Sequence, residues 1–112
     1  MTNYKDLTAD ISKNISKIAE LQPDVMKAFN ALSASAKKEN VLDKKTKEFT
    51  ALGIAVAARC DGCIGFHTKT LISLGATKEE FSEVLAMAIY MGGGPSLMYA
   101  ANAMQAWEDF SK

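Results

Sequence analysis

At 112 residues, 48% of them apolar, the chain is long enough for one hydrophobic core and too short for two, so a single domain over residues 1–112 is expected. Thirteen basic residues balance thirteen acidic ones, which excludes the excess of positive charge that a nucleic-acid partner would require. No apolar run approaches a membrane span, and the opening Met1-Thr2-Asn3-Tyr4-Lys5-Asp6 lacks the charged-then-apolar layout of a signal peptide; a cytoplasmic protein without a membrane partner is expected.

Leu7, Ile11, Ile15, Ile18 and Leu21 recur at spacings of three and four, which predicts an amphipathic helix. Pro23 suits the first turn of a second helix, whose apolar face is Val25, Met26, Phe29, Ala31 and Leu32 and which is expected to loosen over Ser33 to Asn40. Asp43 can cap a third helix that opens with Lys44, Lys45 and Lys47, read as a solvated face, and then turns almost wholly apolar from Phe49 to Ala57. Such a helix is expected to be buried on every side, in the domain or against another subunit, with Gly53 admitting a neighbouring backbone.

A fourth helix, capped by Cys60 or Asp61, should run through Cys63 and Ile64 to Leu74 and end at Gly75. Thr77 with Glu80 three residues on is a capping box that starts a fifth, carrying Phe81, Val84, Leu85, Met87, Ala88 and Met91. Gly92-Gly93-Gly94 ends it, and Pro95 opens a sixth from Ser96 to about Phe110, with Leu97, Met98, Ala101, Met104 and Trp107 expected on its inner face. No segment alternates with period two, so the fold is read as an all-α bundle of five or six helices. Its apolar third helix and small-residue stretch Tyr99 to Met104 exceed what one such bundle can easily cover, and a homo-oligomer is expected.

The chain's only two cysteines and only histidine fall within Cys60-Asp61-Gly62-Cys63-Ile64-Gly65-Phe66-His67. Two thiols at this spacing can close a disulfide across the small Asp61-Gly62 pair. Cys63 in the first turn of a helix meets unpaired N–H groups and the positive end of the helix dipole, which favour thiolate over thiol. His67, four residues on, stands on the same face. In a reducing cytoplasm a permanent structural disulfide is not expected, which leaves catalytic cycling, metal binding or inert burial for the pair. Zinc would take Cys60, Cys63 and His67 but needs a fourth ligand, from Asp61 or an oligomer contact.

If the third and fourth helices form a hairpin turning near Arg59 and Cys60, Glu48 lies roughly 15 Å back from the turn and His67 roughly 10 Å along the return. A water can bridge the difference, giving a proton relay from Cys63 through His67 to Glu48. Met87, Met91, Met98 and Met104 read first as adaptable packing, with some able to line an access path for an apolar substrate. Trp107 is read as a core or interface anchor.

Glu48, eleven intervening residues and then Cys60-x-x-Cys63-x-x-x-His67 together resemble the core motif of the alkyl hydroperoxidase D family, within the wider carboxymuconolactone decarboxylase-like group of all-α proteins. The similarity spans about 43–110, with the helices of residues 6–40 before it. The resemblance implies a bundle of that type and a thiol-dependent peroxidase acting on hydroperoxides. Cys63 would be the peroxidatic cysteine, Cys60 the resolving cysteine and proton donor, and Glu48 and His67 the relay. It further implies no bound cofactor, an external dithiol reductant such as a lipoylated protein, and assembly as trimers or hexamers.

One position departs from the pattern. Some members carry a histidine directly before the second cysteine, where this chain has Gly62. A dithiol-disulfide reductase without efficient peroxidase activity is therefore an alternative, beside a zinc-binding structural module and a carboxymuconolactone decarboxylase-like enzyme. The last fits less well, because that branch lacks the cysteine pair.

Overall fold

The computed structural model describes residues 3–112, so Met1 and Thr2, which begin the stretch read against a leader, lie outside it. Among the described residues there are six helices: α1 (Tyr4–Leu21), α2 (Pro23–Lys37), α3 (Lys44–Ala57), α4 (Asp61–Ser73), α5 (Lys78–Gly92) and α6 (Gly94–Phe110). The all-α expectation holds, and among the described residues no strand occurs.

Helices α3 to α6 close into a ring in which α3 packs on α4 and α5, and α6 packs on α4 and α5. Their shared core is Leu52, Val56, Ile64, Leu71, Phe81 and Leu85 with the small residues Ala100, Ala103 and Ala106. Trp107 joins it, its ring 4.9 Å from that of Phe81, which is the anchoring role expected. Helix α1 lies across α4 and α6, and α2 touches only α1 and an edge of α3.

The local signals act as read. Asp43 accepts from Thr46 N–H at 2.8 Å, and hydrogen bonding from the Thr46 side chain, then from that N–H, holds its carboxyl below the ordinary range. Thr77 and Glu80 complete both halves of the capping box. Gly75, with φ 81°, turns the chain out of α4 in the left-handed conformation that lets Ala76 N–H reach Leu71 C=O.

Several expectations are corrected. Helix α1 begins three residues before Leu7, because Asn3 caps it by accepting from the N–H groups of Lys5 and Asp6. Helix α2 continues to Lys37 instead of loosening at Ser33, and its end is held by Lys47, whose ammonium donates to the carbonyls of Ala36 and Lys38. Lys45 likewise pairs with Glu80 at 2.9 Å, so the lysines of α3 are only partly a solvated face.

Helix α3 is not buried on every side within the chain, since Ile54 is 62% exposed. Gly53 admits no backbone: a Cβ there would meet Val84 Cγ1 at 3.6 Å, an ordinary contact. The inner face of α6 is Ser96, Ala100, Ala103, Ala106, Trp107 and Asp109, while Leu97, Met98 and Ala101 face out. Four helices can close around α6 because its inward side chains are small.

Candidate functional site

The α3–α4 connection is the tight turn expected. Arg59 takes a left-handed conformation (φ 58°), and Cys60 N–H donates back to Ala55 C=O at 3.0 Å. Cys60 is the N-cap of α4, its sulfur accepting from Cys63 N–H at 3.2 Å. The two cysteines are joined as a disulfide, with Cα atoms 5.2 Å apart. Cys63 is exposed and Cys60 half-buried, so the bridge is within reach of a reactant in solution.

One helical turn beyond Cys63, His67 Nδ1 meets Glu48 Oε2 at 2.6 Å. The contact is direct; the bridging water expected from the hairpin arithmetic is not needed. Glu48 is only 3% exposed, against the habit of a glutamate following three lysines, while the imidazole stays partly open to solvent. A buried carboxylate bound to a more open imidazole fixes the ring and leaves Nε2 as the nitrogen able to exchange protons with the site. Cys60 and Cys63 thus stand at the start of α4, and His67, one turn further along it, meets Glu48 in the second turn of α3.

Beside His67 opens a cavity of about 700 Å³ whose apolar wall is Ile15, Phe29 and Phe66, with Lys37 and Lys69 among its polar lining. No methionine lines it. Met87 and Met91 instead edge a separate apolar groove between α3 and α5, with Phe49, Ile54 and Val84, and no titratable group lies in that groove. The access path expected of the methionines is therefore not at this cavity.

Sequence reasoning missed how α1 is fastened to the motif. The Tyr4 hydroxyl donates to Asp61 Oδ1 at 2.7 Å, and the same oxygen accepts from Asn102 Nδ2 at 3.3 Å. Tyr4 N–H donates to Asp109 Oδ2 at 2.8 Å. Burial, and then the Asp61 carboxylate, push the Tyr4 phenol well above its ordinary range. Thr8 and Ile11 continue the same face of α1 along α4, where a Cβ on Gly65 would stand 2.6 Å from the Thr8 methyl and one on Gly62 2.7 Å from Ile11 Cδ1. The two glycines of the motif let α1 lie this close. The signal that would have found Tyr4 is Asn3, a capping residue three positions before Asp6.

Among the described residues no three histidine, cysteine, aspartate or glutamate side chains converge as a cation site. Asp61, the fourth ligand a zinc site within the chain would draw on, is held by Tyr4 and Asn102. Among the described residues, no helix is long and apolar enough to cross a membrane.

The sequence model of the carboxymuconolactone decarboxylase family matches residues 23–106. The chain belongs to that family. The match takes in α2, so the family's reach is wider than the 43–110 expected from the motif. The crystal structure of lpg0406 from Legionella pneumophila, a member of the same family, superposes with a TM-score of 0.95 at 52% identity, covering 97% of each chain. A second member, from Thermotoga maritima, superposes at 0.84 with 26% identity, over 93% of this chain and 89% of that one; a part in antioxidative response has been suggested for that protein. An uncharacterised protein of Cupriavidus necator is 37% identical over 92% of this chain and 91% of its own length. This carboxymuconolactone decarboxylase family chain thus combines the family fold with a cysteine pair at disulfide distance.

Proposed function

We propose that the protein is a thiol-dependent peroxidase of the alkyl hydroperoxidase D type. The observation that carries the reading is the buried Glu48 carboxylate bound at 2.6 Å to His67, one turn from a cysteine pair at a helix start. The antioxidative response suggested for the Thermotoga maritima relative points the same way.

In this reading Cys63 thiolate attacks the hydroperoxide, the O–O bond breaks, and Cys63 becomes a sulfenic acid. The departing alkoxide takes a proton supplied through Cys60, His67 and Glu48 and leaves as an alcohol. The Cys60 sulfur then attacks the Cys63 sulfur, the disulfide forms and water departs. An external dithiol, of the lipoyl kind, returns two electrons and two protons and restores both thiols. The exposed apolar faces of α1, α2 and α3 support a homo-oligomer as the working unit.

Replacing Cys63 with serine is expected to abolish consumption of an alkyl hydroperoxide in the presence of dihydrolipoamide, read as peroxide remaining; a C63S protein as active as the parent overturns the assignment. A second reading, a dithiol-disulfide reductase with weak peroxidase activity, is favoured by Gly62. The Ile11 terminal methyl fills the space a side chain there would take, so the histidine some relatives carry has room only if that methyl swings aside. Equal turnover of a disulfide substrate with little loss of peroxide would select it.

A further inference from the structure

Asp61 stands between the two cysteines, in the first turn of α4. An anion there is normally welcome to the helix, because it meets the positive end of the dipole. To a thiolate on Cys63 the same charge is unfavourable, and it cancels part of the field that makes the thiol more acidic. The structure commits that carboxylate to donors on two other helices, the Tyr4 hydroxyl of α1 at 2.7 Å and the Asn102 amide of α6 at 3.3 Å. Both bonds fall on the same oxygen. Tyr4 is itself fixed, buried to 3% exposure with its N–H on Asp109, and the phenol cannot swing away without lifting the start of α1.

We infer that Tyr4 and Asp61 are positioning residues that set the reduction potential of the Cys60–Cys63 pair: the Asp61 charge disfavours the reduced, thiolate-bearing state, and the Tyr4 hydroxyl limits that effect by drawing the charge onto itself. This rests on the proposed redox role of the pair. It assigns α1 a part in the chemistry although α1 carries none of the reacting groups. The stabilisation of a disulfide's reduced form makes the pair more oxidising, and tenfold in equilibrium constant is about 30 mV for a two-electron couple.

The test equilibrates the parent protein, Asp61→Asn, Tyr4→Phe and the double variant against mixtures of dihydrolipoamide and lipoamide at pH 7, with thiols counted by alkylation and mass spectrometry. Each reduction moves two electrons and two protons from dihydrolipoamide to the protein disulfide. Asp61→Asn keeps the shape and removes the charge, and it should shift the equilibrium about tenfold toward the thiols, roughly 30 mV. Tyr4→Phe keeps the buried ring and should shift it about threefold the other way. The double variant should match Asp61→Asn alone, because a tyrosine acting only through Asp61 has nothing left to act on. A merely structural role for Tyr4 lowers the melting temperature and leaves the potential in place, so melting curves of all four proteins accompany the titration.

The inference is overturned if both single variants stay within twofold of the parent, or if Tyr4→Phe shifts the equilibrium equally with and without Asp61. A parent disulfide that dihydrolipoamide never reduces, in any mixture, overturns the proposed function itself and this inference with it.

Discussion

The ring α3–α6 and the hairpin α1–α2 are both amphipathic in sequence, yet they are held in different ways. The ring buries Phe81, Leu52, Ile64 and Leu71 completely and closes on itself. Helix α2 has no buried residue at all, and Phe29 and Leu32 on its apolar face are 59% and 64% exposed. Helix α1 divides between the two. Its first half is clamped to α4 and α6 by Tyr4, Thr8 and Ile11, while Ile18 and Leu21 beyond them point away from the core. An apolar stripe therefore states that a helix has a partner and leaves open which one. What decides it in α1 is polar: the bonds from Tyr4 to Asp61 and Asp109 fix one end of the helix to the motif.

The largest effect should come from the ring. Phe81 is fully buried against Trp107, and Phe81→Ala removes most of a ring from a closed core, at a cost of about 3–5 kcal/mol. Chemical denaturation should show the loss as a lower midpoint with an unchanged slope. A cost below about 1 kcal/mol would mean that the ring does not carry the chain's stability, and the contrast with the hairpin would fail.

Much of this arrangement is written where backbone and side-chain chemistry are local. Asp43, Thr77 with Glu80, and Gly75 each act within one turn of their own position, and each bounds its helix as its residue type requires. The Glu48–His67 contact was legible too, because a tight turn at Arg59 and Cys60 makes α3 and α4 count residues back from a common point. The phase of α6 was not. Ranking residues by hydrophobicity puts Leu97 and Met98 inside, but the helix sits among four neighbours, and close approach selects Ala100, Ala103 and Ala106 instead. The clamp on α1 was hidden for a related reason. It joins residues 57 and 105 positions apart, through a tyrosine that lies outside the run of aliphatic side chains by which the helix is recognised.

The polar end of α1 should come next in size. Asp109 accepts from Tyr4 N–H and from Gln105, and chiefly the Tyr4 bond holds its carboxyl below the ordinary range. Its folded-state pKa is depressed, so its contribution is present above the unfolded value near 4 and is lost as pH falls through the folded value. Asp109→Ala should cost about 2 kcal/mol at neutral pH, the size of a hydrogen bond to a charged group, and the gap between parent and variant should narrow as the solution is taken below pH 4. Paired urea melts at pH 7 and pH 3 measure both. A gap that stays constant with pH would show that the residue acts through packing and not through its charge.

The smallest effect should fall on α2, and it is the one that sharpens the comparison most. Phe29→Ala removes a larger side chain than most core substitutions do, but more than half of that side chain already faces water in the single chain. Surface replacements of this kind change stability by no more than about 0.5 kcal/mol. The same phenylalanine lines the cavity beside His67, so its loss should register in substrate turnover more than in the melt. A destabilisation comparable with that of Phe81→Ala would require water to be absent from this face in solution. The apolar stripe of α2 would then be covered by a second copy of the chain, and the cavity it lines would belong to two subunits.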